Sequence, residues 1–316
     1  MTNPHCPVDV MISQTQSPMD PEPLERVSLT TRIASLIGVI TPFVGFVLAV
    51  ALLWGRGFGW LHGGLLLGMY IATALGITIG YHRYFTHRSF QTPRFIQCIL
   101  AVLGSMALEG PVLKWAATHR RHHQCSDRPG DPHSPHNHGE GFIGILRGMW
   151  HAHMGWIFNG DPRNLYRYVP DLSRDRLLRV MSRLWLLWAA LGVILPAVIG
   201  GLITLSWSGA LMGLLWGGLV RIFLVHHVTW SINSVCHLWG TRPFHNHDQS
   251  RNNFIFGIVG MGEGWHNNHH AFPASARHGL RWWEVDFSYY LIRLMSFIGL
   301  AWDIRLPRRA RLAVRG

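Results

Sequence analysis

Four short stretches concentrate imidazole side chains: His82-Arg-Tyr-Phe-Thr-His87, His119-Arg-Arg-His122-His123, Asn233-Ser-Val-Cys-His237 and His266-Asn-Asn-His269-His270. On an α-helix, residues at i, i+3 and i+4 share a face. The spacing therefore predicts that His119, His122 and His123 converge on one point, and that His266, His269 and His270 do likewise. Asn233 and His237 form an i, i+4 pair. His82 and His87 are five apart, about 140° off helical register, so their helix is expected to end or unwind there. The stretches hold nine histidines, too many for one structural zinc with its four ligands. They suit two metal ions with positions left open for substrate or water. Imidazole accepts zinc, copper, iron or nickel, so donor type alone does not name the metal.

Other metal chemistries fit poorly. A carboxylate-bridged di-iron site needs two Glu-x-x-His motifs; only Glu263-Gly-Trp-His266 matches, and the chain has six Glu. No His-Glu-x-x-His protease motif occurs. One histidine cluster alone is as often a polar loop; three of them with an Asn/His pair are not. Ligating rings need acceptors for their other N–H. Asp127, Asp131, Asp248 and Glu263 are candidates, although each serves equally well as a loop salt bridge or cap. His133, His136, His138, His151, His153, His245 and His247 are expected to be solvated or capping. His226 and His227 lie inside an apolar span, where they either support the site or join helices by hydrogen bonds. Cys125 and Cys236 read as small space-filling residues.

Something must hold these clusters together across the chain. The 316 residues are 48% hydrophobic and only 14% charged, with 15 Trp and more histidines (21) than acidic residues (16); an average soluble protein is about 25% charged. That composition excludes a disordered chain, and four cysteines exclude a disulfide scaffold. Apolar stretches at about 33–54, 60–80, 184–205 and 209–230 are each near the roughly 20 residues that cross a bilayer. Two tight turns pair them into hairpins. Pro42 and Pro196 fall inside spans, which lipid-embedded helices tolerate. The apolar run at about 95–108 is short and reads as a buried or interfacial helix. The net charge of +12 then sorts itself: 81–183 carries 14 Lys/Arg and the chain after Ser231 carries 10, while the outer turns hold Arg56 alone. By the positive-inside rule both termini and the long middle segment face the cytoplasm, in a bacterial inner membrane or its equivalent. The basic excess thus points to topology and lipid headgroups, and away from nucleic acid. The expected class is an all-α integral membrane protein of four transmembrane helices with a helical cytosolic cap holding a di-metal histidine site. A flexible cytoplasmic tail is expected at 1–32, one domain at 33–305 and a basic tail at 306–316.

These residues resemble the membrane-bound acyl-CoA desaturases of the stearoyl-CoA type. The resemblance runs through Gly80-Tyr-His-Arg-Tyr-Phe-Thr-His87-Arg-Ser-Phe90, Lys114-Trp-Ala-Ala-Thr-His-Arg-Arg-His-His123, Asp131-Pro-His133 and Gly155-Trp156. It continues through Asn233-Ser-Val-Cys-His-Leu-Trp-Gly240 and Gly262-Glu-Gly-Trp-His-Asn-Asn-His-His-Ala-Phe-Pro273. It implies two irons held by His82, His87, His119, His122, His123, His237, His266, His269 and His270, with Asn233 joining through a water. It implies O2-dependent formation of a cis double bond in a saturated acyl chain, most often at delta-9, on acyl-CoA or another acyl carrier or lipid. It points to Trp115, Thr229 and Trp230 beside the acyl tunnel. Two electrons would come from a separate ferredoxin, or from cytochrome b5 with its reductase. One departure stands out: animal members carry a basic residue two positions before the second histidine stretch, and this chain has Ala117. The rival readings are a related di-iron fatty-acid or alkane hydroxylase and a non-catalytic metal-binding membrane protein. The latter predicts metal groups near mid-membrane, whereas these clusters flank the spans.

Overall fold

The computed structural model describes residues 24–53 and 58–307. Most of the expected N-terminal tail, Trp54 and nearly all of the basic C-terminal tail lie outside the described residues. Among those described, every extended element is helical; extended pairing is confined to isolated bridges such as Gln91 with Trp302. The helices are α1 (Leu29–Leu53), α2 (Trp60–Leu75), α3 (Arg94–Met106), α4 (Val112–Cys125), α5 (Gly141–His153), α6 (Pro170–Ser173) and α7 (Arg176–Arg183). They continue with α8 (Trp185–Thr204), α9 (Trp207–Gly213), α10 (Arg221–Ser234), α11 (Phe254–Val259), α12 (His266–Ala271) and α13 (Phe287–Phe297).

Among the described residues four helices are long and apolar enough to cross a membrane: Leu29–Leu52, Trp60–Thr86, Trp185–Thr204 and Trp207–His237. The second and fourth outrun the expected bounds because each continues without a break into a histidine stretch. The second runs from α2 into a π-helical segment, Gly76–Thr86; the fourth joins α9, a π-helical segment Leu214–Val220, α10 and a final turn at Val235–His237. Burial separates the four. Only 17% and 22% of the first and third spans are buried, against 44% and 56% of the second and fourth. The apolar side chains of α1 and α8 therefore face outward, as a bilayer requires, and the two histidine-bearing spans form the centre. The expected short helix is α3, which packs on the π-helical end of the second span and on α8. That approach is close: a Cβ at Gly76 would lie 2.4 Å from the Gly104 nitrogen, so both positions require glycine.

Arg221, the single basic residue inside an expected span, is fully buried. Its guanidinium donates to the carbonyls of Met106 at 2.6 Å, Gly192 at 2.6 Å and Gly217 at 3.1 Å. A buried cation is tolerated only when its donors are met, and here they tie α10 to α8 and to the end of α3.

Candidate metal centre

The π-helical segment explains the five-residue histidine spacing. In a π-helix the backbone bonds run from i+5 to i, and the His87 amide donates to the His82 carbonyl at 3.1 Å. Residues five apart thereby return to one side, and the two rings stand 4.8 Å apart. The helix winds differently between them rather than ending.

All nine histidines gather, in two groups. His82, His87, His119, His123 and His269 form one; His122, His237, His266 and His270 form the other; within each, the candidate ligand atoms lie within 4.8 Å of one another. The expectation that each three-histidine cluster converges on one point is corrected here. His119 and His123 enter the first group and His122 the second, while His266 and His270 enter the second and His269 the first. The reason is angular. On a helix, i and i+4 differ by only about 40°, whereas adjacent residues differ by about 100°. Neighbouring His122 and His123, and neighbouring His269 and His270, therefore face different groups, and α4 and α12 each serve both.

The ring nitrogens test whether metal ions fit. Within the first group Nε2 of His269 lies 3.1 Å from Nε2 of His82 and 2.9 Å from that of His123, which in turn lies 3.0 Å from that of His119. In the second, Nε2 of His237 and His266 are 3.1 Å apart. One imidazole nitrogen either donates or accepts, so such a chain cannot be satisfied by hydrogen bonds among the rings. Two nitrogens on one ion at about 2.1 Å and at right angles would lie about 3 Å apart. Buried ring nitrogens without a partner, among them Nε2 of His87, His122 and His270, complete the picture. The donor set fits two metal ions. Asn233 is half-buried on α10, one turn ahead of His237.

All four candidate acceptors take their places behind the rings. His82 Nδ1 lies 2.5 Å from Glu263, His122 Nδ1 2.9 Å from Asp131, His237 Nδ1 2.8 Å from Asp127 and His270 Nδ1 2.9 Å from Asp248. A carboxylate that accepts the Nδ1 proton leaves Nε2 bare for a metal. The second group receives three such supports and the first only one. Burial, reinforced by the neighbouring rings, holds His119, His123, His266, His269 and His270 well below the usual imidazole range, the neutral form that could ligate a metal. Burial pushes His122 the same way, but Asp131 outweighs it and raises that ring. Burial alone would raise Asp127; its hydrogen bond to His237 and those from Ser134 and Gln249 hold it well below the carboxylate range.

Several supporting residues escaped the sequence reading. His133, expected to be solvated, is buried with its ring 4.4 Å from that of His122. His278, which belongs to no cluster, is buried with its ring 4.5 Å from that of His269. Arg83 is buried between Glu263, 3.1 Å away, and Asp286, 2.9 Å away, and its polarity hid it among loop-like residues. His226 donates to the Ala107 carbonyl at 3.0 Å, a helix-to-helix bond. Cys125 and Cys236 are unpaired and outside both groups.

Of the candidate substrate contacts, Trp115 lies flat on His119, with rings 5.1 Å apart and 17° from parallel. Its indole donates to Glu109 at 2.9 Å, and Thr229 acts on the same carboxylate, lowering its pKa against the effect of burial. Burial pushes Glu109 up to about 7. Trp230 stacks on His226 at 4.8 Å, one step away from the two groups.

The fatty acid desaturase family model matches residues 58–294. The chain belongs to the fatty acid desaturase family. Three relatives bracket its chemistry. It is 48% identical to the hex-5-enoyl-[acyl-carrier protein] acetylenase of Moorena producens, over 85% of this chain and 84% of that one. It is 38% identical to delta-9 acyl-lipid desaturase 1 of Arabidopsis thaliana, over 85% and 84%. It is 36% identical to the acyl-CoA C20 delta5-desaturase of Anemone leveillei, over 84% and 80%. This desaturase is accordingly an oxidoreductase of fatty acyl chains, in a family that is generally di-iron dependent.

Proposed function

We propose that this desaturase removes two hydrogens from neighbouring carbons of a saturated fatty acyl chain, with O2 as co-substrate, leaving a cis double bond. The finer form of the reading is delta-9 desaturation of an acyl-CoA. One observation carries it: two groups of imidazoles, ring nitrogens turned toward one another and carboxylates behind four of them, at the ends of two long apolar helices. The nine histidines and, through a water, Asn233 would hold two irons, which supply the O2 chemistry that an unactivated C–H bond requires. The chain's own residues do the rest. Asp127, Asp131, Asp248 and Glu263 fix ring tautomers. Trp115 walls the first histidine group, and Thr229 and Trp230 continue that wall on the fourth span. Glu109, neutral below about pH 7, gives the apolar chain a hydrogen-bonded acid rather than a charge to pass.

The delta-9 position is supported by the name of the Arabidopsis relative. The relatives differ in carrier and in position alike, naming a hex-5-enoyl chain on a carrier protein, delta-9 on a lipid and delta5 on CoA, and Ala117 removes one expected cationic contact. A second reading has its own observation: the Moorena relative is named for making an alkyne from an alkene, and the same hydrogen removal from an unsaturated chain would do so here. The distribution of Lys and Arg supports cytoplasmic termini in a bacterial inner membrane.

Lipid analysis of a host expressing the chain tests the proposal. New cis-monounsaturated acids are expected, lost in His269→Ala and His122→Ala. Hydroxy acids instead would establish a hydroxylase, and alkynes the second reading. Unchanged lipids from a chain carrying two irons would overturn the substrate assignment.

A further inference from the structure

His278 lies against the first histidine group without belonging to it. It is buried, with its ring 4.5 Å from that of His269 and 5.4 Å from that of His82. Its backbone is pinned on both sides. The amide donates to Asp286 at 2.7 Å, and the carbonyl accepts from Asn268, the chain neighbour of His269, at 2.9 Å. With His82 and Glu263 it makes a further cluster of metal-ligating residue types. That cluster is no metal site, because Arg83 already occupies it. The guanidinium lies 3.1 Å from Glu263 and 3.2 Å from His278 Nδ1, and it does not give up its charge.

Arg83 also fixes the tautomer of His278. A guanidinium only donates, so Nδ1 accepts and the proton of the neutral ring sits on Nε2. That Nε2 is buried and meets no acceptor among the described residues. The same is true of Nδ1 on His269. With its Nε2 turned to those of His82 and His123, a ligating His269 carries its proton on Nδ1. Two neighbouring buried rings thus each hold an N–H in need of an acceptor, and leaving such donors unmet is costly. Two donors cannot satisfy each other, whereas one water accepts from both.

We propose that His278 is a positioning residue of the first metal group: its Nε2–H and the Nδ1–H of His269 share one buried water, which holds the His269 ring toward that group. His82, His122, His237 and His270 have carboxylates for this purpose. No described residue accepts from Nδ1 of His269. A carboxylate raises the basicity of the ring in front of it, and a water held by a second donor does so less. The first group, with one carboxylate against three, is therefore the less electron-rich of the two. The inference rests on the two-metal reading of the proposed function.

Iron retention tests it on the full iron(II)-loaded chain in detergent, dialysed anaerobically against a graded chelator. An Asn side chain places its amide near the Nδ1 position of the histidine it replaces, and Gln near that of Nε2. His278→Asn therefore keeps an acceptor for Arg83 and removes the inner donor, whereas His278→Gln keeps the inner donor. In His278→Asn one of the two irons should leave at roughly tenfold lower chelator, the low end of the usual cost of losing the group behind a ligating histidine. The other should leave at the wild-type concentration. His278→Gln should retain both irons to within about threefold of wild type. His278→Asn combined with Asp131→Ala should loosen both, since Asp131 stands behind His122 in the other group. A merely structural His278 predicts the reverse order, with His278→Asn like wild type and His278→Gln losing iron. That result, parallel loss of both irons in His278→Asn, or its unfolding by circular dichroism overturns the inference. A wild-type chain that cannot hold two irons would bring down the two-metal reading itself, and the inference with it.

Discussion

Asp131 shows how much one side chain can carry at this site. It accepts from His122 Nδ1 at 2.9 Å and from the amides of Asp127 and His133 at 2.8 and 3.0 Å. Asp131→Ala should lower metal affinity by roughly 10- to 100-fold, the usual cost of losing the acceptor behind a ligating histidine. Iron retained after dialysis against a graded chelator measures this, and unchanged retention would refute the role. Glu109 makes a different prediction. Burial pushes it up to about 7, above the ordinary glutamate value of about 4.3. A raised carboxylate contributes stability that is full below the unfolded pKa and is lost as pH rises through the folded one. Between about pH 5 and pH 8, wild type should therefore lose stability relative to Glu109→Gln, which stays neutral. Several degrees are expected, since about 1 kcal/mol moves Tm by about 2–4 °C in a large domain. A pH-independent difference in Tm would show that the carboxylate does not titrate in that interval. The four carboxylates were visible in the sequence only as candidates, because their pairings are long-range: Asp127 meets His237 across 110 residues.

At the scale of the element, the π-helical end of the second span is decisive. Moving the second imidazole back one position, Thr86→His with His87→Thr, replaces the five-residue spacing by four within the π-helical winding and turns that ring away from His82 by one residue's rotation, about 100° at α-helical winding. Helix content should survive and metal bound per chain should fall, read by circular dichroism and metal analysis of the same sample; full metal loading would show that the winding is incidental. The helical periods explain what the sequence disclosed. All nine histidines, four spans and the short α3 were legible because α-helical spacing and apolar length are local properties. The winding at His82–His87 was not, since its spacing was measured against a 3.6-residue turn. The division of α4 and α12 between two groups was also hidden. It depends on where the second span delivers His82 and where the fourth delivers His237, which only packing determines. His278 escaped for the same reason, as it reaches His269 from a loop.

For the molecule as a whole, electron balance decides what else must be present. Reduction of O2 to two waters takes four electrons and four protons. Removing two hydrogens from the acyl chain supplies two of each, so two electrons and two protons must enter from outside for every double bond formed. The nine imidazoles can ligate metals but have no redox chemistry of their own, and the two histidine groups gather where the second and fourth spans end. A donor must therefore approach from the side of the membrane on which the histidine-bearing helix ends emerge. If that donor is a separate ferredoxin, or cytochrome b5 with its reductase, purified iron-loaded enzyme in vesicles will form no double bonds from NADPH, O2 and acyl substrate. Adding the carrier and its reductase should start turnover, at a rate that saturates with carrier concentration. Turnover at the full rate with NADPH and no carrier would refute a separate donor. Failure with every carrier, in a chain that still desaturates lipids in its host, would instead point to a donor of another chemistry.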